Sequence, residues 1–339
     1  MKLKNATLVA AMAIGLGMAG QAAASIYAGS GLQIDELTIG FVDANGDPIG
    51  NINPEFTFNV EDSATLDGNT DAAAANCDSL GGVACGVAPD PVLSVRAVNG
   101  GAGAPQRADT DYSLFGPGSG DYANANAEIS EAQLVTLTPT ATKQVAEAEL
   151  TNTATTGQAS TNIQSNTTFT MSFNIGGNGP GPATMVIDFL ANPEMESIVA
   201  LGIFDDAGIS QANMTTTLTL NHLESNAFAT WSPQGTASND CAAIGVTCTE
   251  TDDDESLNLT LGTGPLDSSL SHSLGTGATD FGLVISGLAA GDWTLTLAAL
   301  TSVSVVRAIP EPGTLLLLGS GLAAVGGFSR RRRAKKQSA

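Results

Sequence analysis

The chain has 339 residues and a formal charge of −22, from 34 acidic and 12 basic side chains, yet only 14% of its residues are charged and 5% aromatic. So little charge excludes a coiled coil, which needs Glu/Lys-rich heptads. Its sign excludes nucleic-acid binding, which needs a basic footprint to displace phosphate counterions. Long apolar runs lie only at the two ends, which excludes a multi-span membrane protein.

The basic residues cluster at the termini: Lys2 and Lys4 at the start, and Arg330, Arg331, Arg332, Arg333, Lys335 and Lys336 at the end. Four remain between them (Arg96, Arg107, Lys143, Arg307) against 33 acids, so the central body carries 4 − 33 = −29. Such a surface repels anionic polymers and lipids and collects cations.

At the N-terminus, Lys2 and Lys4 precede an uncharged run from Ala6 to Gly20, then Ala22-Ala23-Ala24 and Ser25. A positive segment, a short apolar segment and an A-x-A site in that order predict a signal peptide over residues 1–24, cut before Ser25. The body then lies outside the cytoplasm, where disulfides persist.

The body predicts an all-β fold. Phe56-Thr-Phe58-Asn-Val60, Phe169-Thr-Met171-Ser-Phe173, Leu218-Thr-Leu220, Leu257-Asn-Leu259-Thr-Leu261 and Trp293-Thr-Leu295-Thr-Leu297 alternate apolar with Thr, Asn or Ser. Period 2 with one apolar face is the pattern of a half-buried strand. Gly-, Pro-, Asn- and Asp-rich turns separate these runs. The segment from Glu128 to Leu150 could be helical, although Pro139 and the Thr run around it argue against a continuous helix.

A shift of 189 − 27 = 162 aligns residues 27–63 with 189–225 without a gap. Tyr27 then meets Phe189, Gly40 meets Gly202, Asp43 meets Asp205 and Phe58 meets Leu220. Cys77 and Cys85 face Cys241 and Cys248, and Ser113–Tyr122 resembles Ser273–Phe281. Three matches in one order predict two tandem β-sandwich or jelly-roll-like repeats, over 25–160 and 161–306. Leu288-Ala-Ala-Gly291-Asp-Trp293 has the look of a closing hairpin.

The four cysteines permit three pairings. Adjacent pairing, Cys77 with Cys85 and Cys241 with Cys248, is the simplest, since each repeat then has its own bridge. Zinc would want C-x2-C or a nearby His, and His222 and His272 stand at no such spacing.

Asp43, Asn45 and Asp47 offer oxygen ligands at alternate positions, like the start of a calcium loop. Pro48 and the lack of a Glu at position twelve depart from that loop, and a solvated acidic turn is the ordinary alternative. No other cofactor is expected. G-x-S-x-G, H-E-x-x-H and P-loop patterns are missing, and neither His has an evident Ser or Cys partner, so no enzyme is expected. Paired carboxylates of a secreted hydrolase remain the catalytic alternative. A carbohydrate-binding adhesin is the other alternative; an aromatic platform for it would have to come from Trp231, Trp293, Tyr27, Tyr112 and Tyr122.

The tail reads Pro310-Glu311-Pro312, an apolar run from Thr314 to Phe328, then Arg330-Arg331-Arg332-Arg333. At 1.5 Å per residue a helical run of this length reaches roughly 22 Å, short of the ~30 Å bilayer core, and the basic cluster should stay cytoplasmic. The order of tripeptide, short helix and Arg cluster over residues 307–339 resembles the PEP-CTERM sorting signal. That resemblance implies recognition by exosortase after general secretion, with transient residence in the inner membrane. It also implies a place in the envelope, surface or matrix of a Gram-negative bacterium that makes exopolysaccharide. A structural or adhesive protein of a biofilm is the function it suggests; such tails sit on unrelated bodies and name no activity.

Overall fold

The two-residue alternation leaves every strand with one dry and one wet face, and strands of this kind can be buried only by stacking two sheets. In the computed structural model, residues 25–50, 52, 54–78, 92–97, 111–118, 120–129, 140–151, 160–176, 182–200, 208–235, 240–264, 268–275 and 277–307 are described. Among them there are sixteen strands and no helix. They are β1 (Ser25–Val42), β2 (Glu55–Leu66), β3 (Asn69–Asp78), β4 (Val92–Ala97), β5 (Tyr122–Ile129), β6 (Thr140–Thr151), β7 (Ser160–Ile175) and β8 (Ala183–Ala200). Then follow β9 (Gly208–His222), β10 (Phe228–Trp231), β11 (Cys241–Ile244), β12 (Thr247–Asp253), β13 (Leu259–Thr263), β14 (Ser268–Ser273), β15 (Thr279–Leu288) and β16 (Gly291–Arg307). The segment read as a possible helix supplies the end of β5 and most of β6; residues 130–139 lie outside the described residues.

Two eight-stranded sheets result. Sheet A runs β12-β15-β8-β1-β6-β5-β4, with β14 along the same edge of β8 as β15. Sheet B runs β11-β10-β9-β16-β7-β2-β3, with β13 sharing an edge of β9 with β10. Between them Phe56, Phe58 and Phe169 stack at centroid distances of 5.8 to 6.3 Å, Phe41 meets Phe173 at 4.8 Å, and Phe189 stacks on Phe281 at 5.0 Å beside Trp231. Burying each such ring contributes about 1.5–3 kcal/mol.

This topology corrects the expected pair of tandem sandwiches. β1 pairs with β8 from Ser25·Ala200 to Val42·Thr184, and β7 pairs with β16 from Ser160·Val306 to Ile175·Gly291. Both sheets therefore run through both halves, and a boundary at 160/161 falls at the start of β7. Separate half-sheets would each present unpaired N–H and C=O groups along β1, β7, β8 and β16; joining edge to edge satisfies them.

The repeat survives as symmetry within one sandwich. β1 is flanked by β6 as β8 is by β15, and β2 by β7 as β9 is by β16. Thr57 pairs with Thr170, and its counterpart 162 residues on, Thr219, pairs with Thr296. Thr170 and Thr296 then face each other across the seam, their hydroxyls 3.3 Å apart. In sheet A the gapless alignment fails. A bulge at Glu36 (φ 56°) adds one residue to β1, and a one-residue slip exchanges the faces of a strand. Tyr27 thus lies on the outer side of β1, paired with Ile198, while Phe189 points into the core. The Ser113–Tyr122 match also fails: that stretch approaches β5, whereas Ser273–Phe281 joins β14 to β15.

The expected closing hairpin is instead a corner, since β15 belongs to sheet A and β16 to sheet B. A true hairpin joins β2 to β3 through Asp67 (φ 48°) and Gly68 (φ 80°), the two positive φ values of a type I′ turn.

Cys241 and Cys248 form a disulfide with Cα atoms 6.1 Å apart, and it ties β11 at the edge of sheet B to β12 at the edge of sheet A. Cys77 lies in β3, the opposite edge of sheet B; Cys85 lies outside the described residues. Replacing both Cys241 and Cys248 by Ser should lower stability by about 2.5 kcal/mol, the chain-entropy value for so short a loop. Urea melts of the two forms measure it; equal midpoints would show that the interleaved edges hold without the bridge.

Candidate functional site

The sorting residues Pro310, Glu311, Pro312 and Arg330 to Arg333, and Ala22 and Ala24 of the export signal, lie outside the described residues; Ser25 is the first residue of β1. Among the described residues no helix is long and apolar enough to cross a membrane. Asp43 and Asp47 stand in the exposed turn after β1. Asp43 Oδ1 accepts the amide N–H groups of Asn45 (2.8 Å) and Asp47 (2.9 Å), which pull its carboxyl below the usual range. The Asn45 side-chain amide adds a longer bond to the other Asp43 oxygen, so Asp43 organises the turn as an Asx turn does. Among the described residues no three His, Cys, Asp or Glu side chains converge as a metal would need.

His222 is buried against Trp293, with ring centroids 4.5 Å apart. Its Nδ1 lies 2.7 Å from Ser225 Oγ and its Nε2 3.3 Å from the Ala290 carbonyl. Sequence spacing did not reveal this Ser–His contact. Ser225 Oγ also accepts the Ala227 N–H, so the pair ties the turn between β9 and β10. His272 lies 3.6 Å from Glu255.

The outer face of sheet A is acidic, and part of it is roofed. Residues 111–118 lie over β1, β6 and β5 and are pinned by carboxylates. Glu147 Oε1 accepts the Tyr27 hydroxyl (2.6 Å) and the amides of Phe115 (2.7 Å) and Gly116 (3.1 Å). Glu149 Oε1 accepts the Gly118 amide at 2.7 Å. Burial, then the Glu147 charge, hold the Tyr27 phenol far above its ordinary value, so it remains a donor.

Beyond the roof, Glu36, Thr38, Asp188, Asp252 and Asp280 line an open groove of about 390 Å³. Asp252, Gly282 and Asp188 are directly opposite one another on β12, β15 and β8. A side-chain carbon at Gly282 would lie 3.2 Å from Asp252 Oδ2 and 3.3 Å from Asp188 Oδ1, so these oxygens are at most 3.2 + 3.3 = 6.5 Å apart. Partial burial, then the Asp252 charge, raise the Asp188 carboxyl. The spacing overlaps that of glycosidase carboxylates. Both, however, are exposed on an open face that does not exclude water, where charge stabilisation is weak.

The outer face of sheet B differs in kind. One row across five strands reads Thr57, Thr170, Thr296, Thr219, Thr230, each directly opposite the next. Around it stand Asn59, Thr168, Ala298 and Thr217, then Asn166, Leu300 and Thr215, then Gln164, Ser302 and Asn213. These side chains are exposed or half-buried, and the described strands contact β7, β9 and β16 only as ladder neighbours or from the opposite sheet. Along β7, β16, β9 and β10 the outward charge is Asp292, at a strand end; Arg307 reaches the Thr151 carbonyl of sheet A instead, and on β2 Glu55 and Glu61 face outward. Sequence alone showed Thr at alternate positions but not the register that aligns them.

The five aromatic residues proposed for a sugar platform are all buried: Tyr27, Tyr122, Trp231 and Trp293 are 0% exposed and Tyr112 6%. These five therefore form no exposed stacking platform of the kind the adhesin alternative would use.

Comparison with known proteins locates one signal. No curated protein and no solved structure matches the chain, and the central body matches no family. At the C-terminus, a family model described as the PEP-CTERM protein-sorting motif matches residues 308–333, so the chain carries an exosortase sorting signal behind an all-β body of two sheets.

Proposed function

We propose that this is an exported protein, sorted by exosortase to the envelope, surface or matrix of a Gram-negative cell, whose β body acts as a structural or adhesive element without catalysis. The observation that carries the reading is the sorting motif at 308–333, with the Lys2/Lys4 leader and the Ala22-x-Ala24 site at the other end. Three features of the body fit a life outside the cytoplasm. A disulfide staples the two sheets at one edge, the surface is strongly acidic, and the sandwich places most backbone polar groups in ladders. An exopolysaccharide layer is the setting that the sorting signal suggests.

Intact-mass measurement of the native protein tests the sorting. The mature chain should begin at Ser25 and lack the Arg330–Arg333 cluster. Recovery of a chain that still ends in that cluster, in a strain with active exosortase, would remove the basis for the reading.

A further inference from the structure

We propose that the outer face of sheet B is a docking surface for an uncharged polysaccharide. The proposal deepens the adhesive reading above and rests on it for the exported location. It stands on the composition of the face, its regularity and its charge.

The face is built from hydroxyl and amide groups that the protein leaves available. Thr57, Thr168, Thr215, Thr219, Thr230 and Thr294 make no side-chain hydrogen bond among the described residues. Each offers one donor, two acceptor lone pairs and a methyl group. A sugar ring presents the same mixture of hydroxyls and C–H faces. Among the described residues Phe228, half-buried on β10 at the edge of the face, is its one outward aromatic ring, so hydroxyl and amide groups make up the rest.

Regularity gives the face its size. β7 and β16 pair from Ile175·Gly291 to Ser160·Val306 without a bulge, and β16 pairs with β9 as continuously. At ~3.4 Å per residue and ~4.8 Å between strands, the field of β7, β16 and β9 measures roughly 50 by 10 Å, widened over part of its length by β2 and β10. That is the scale of an extended polymer and far larger than one small ligand.

Charge selects the ligand class. On β7, β16 and β9 the outward side chains away from the strand ends carry no charge, while Glu55 and Glu61 on β2 border this field and most other acids lie on the outer face of sheet A and in turns. An anionic polymer would gain nothing here and be repelled by the rest of the surface. A protein partner would want a desolvated apolar or aromatic centre, and here Leu300 and Ala298 are the apolar side chains at the centre, with Ile209, Val306 and Phe228 at its ends and edge. An uncharged polyol exchanges hydrogen bonds with the face without burying a charge. Each exchange with water is nearly balanced, so binding depends on many contacts along one chain.

The test uses the purified exported protein, co-sedimented with microcrystalline cellulose and run in affinity gels containing dextran, with alginate as the anionic control. Wild type should bind at least one neutral glucan and not alginate. Thr170→Val/Thr219→Val/Thr296→Val keeps β propensity and shape while removing three hydroxyls; it should melt near wild type and bind about 10-fold more weakly. Thr219→Glu should bind more weakly still. No binding to either neutral glucan, or unchanged binding by the triple valine form, overturns the proposal. So does self-association of wild type that Thr219→Glu abolishes, which would make the face an interface between copies. These outcomes are independent of the intact-mass result, so a failed docking face and a failed sorting assignment are distinguishable.

Discussion

Replacing Glu147 by Ala should lower stability by about 4 kcal/mol and the melting temperature by roughly 8–12 °C. Glu147 is fully buried, and its Oε1 accepts one hydroxyl and two amide N–H groups. Removing the acceptor takes a bond from one buried hydroxyl and two part-buried amides, and a hydrogen bond to a charged acceptor is worth about 1.5–3 kcal/mol. The losses overlap, because the stretch over Phe115 and Gly116 can lift and solvate its own amides. Glu147→Gln keeps one acceptor oxygen and should cost about half as much. Hydrogen exchange at Phe115 and Gly116 provides the local readout: both amides should exchange much faster in the Ala form. Unchanged protection there, with a lowered melting temperature, would mean that the carboxylate supports the sheet and not the roof.

Asp62 should make the fold weaken as pH rises from about 4 to 8. It lies on the inner face of β2, 3% exposed, and neither carboxylate oxygen has a hydrogen-bond partner among the described residues. Burial pushes its pKa up to about 8; the nearby Ser165 hydroxyl and Ala127 amide pull it back in part, without reaching bonding geometry. Below pH ~4 the group is protonated folded and unfolded, so it costs nothing. Through the window up to 8 the unfolded chain releases its proton while the folded chain keeps it, and stability falls. Above 8 the folded chain holds a buried charge and the full cost is present. Asp62→Asn removes the titration. It should be more stable than wild type by about 3–5 kcal/mol at pH 9, with the gap closing towards pH 4. Urea melts of both forms at pH 4, 7 and 9 measure the gap, in which the other carboxylates cancel. A gap that does not change with pH would show that Asp62 is solvated or partnered.

The local rules were legible in the sequence because they depend on neighbours along the chain. Phe56-Thr-Phe58 and Trp293-Thr-Leu295 read as strands because alternation sorts side chains onto two faces whatever the partner strand. Cys241 and Cys248 are close enough in sequence for their bridge to be read as a local pairing. The sorting tail was legible for the same reason: its order of Pro-Glu-Pro, apolar run and arginines is linear. Tertiary structure alone decided which edges meet. Two copies of a β unit can close separately or join along β1·β8 and β7·β16, and hydrophobic alternation is the same in both cases; the choice lies in backbone pairing between residues more than a hundred positions apart. One residue at Glu36 then exchanged the faces of β1, sending Tyr27 outward to Glu147, an outcome no gapless alignment could carry. The row Thr57, Thr170, Thr296, Thr219, Thr230 likewise exists only through register, since its members come from five strands and share no sequence neighbourhood.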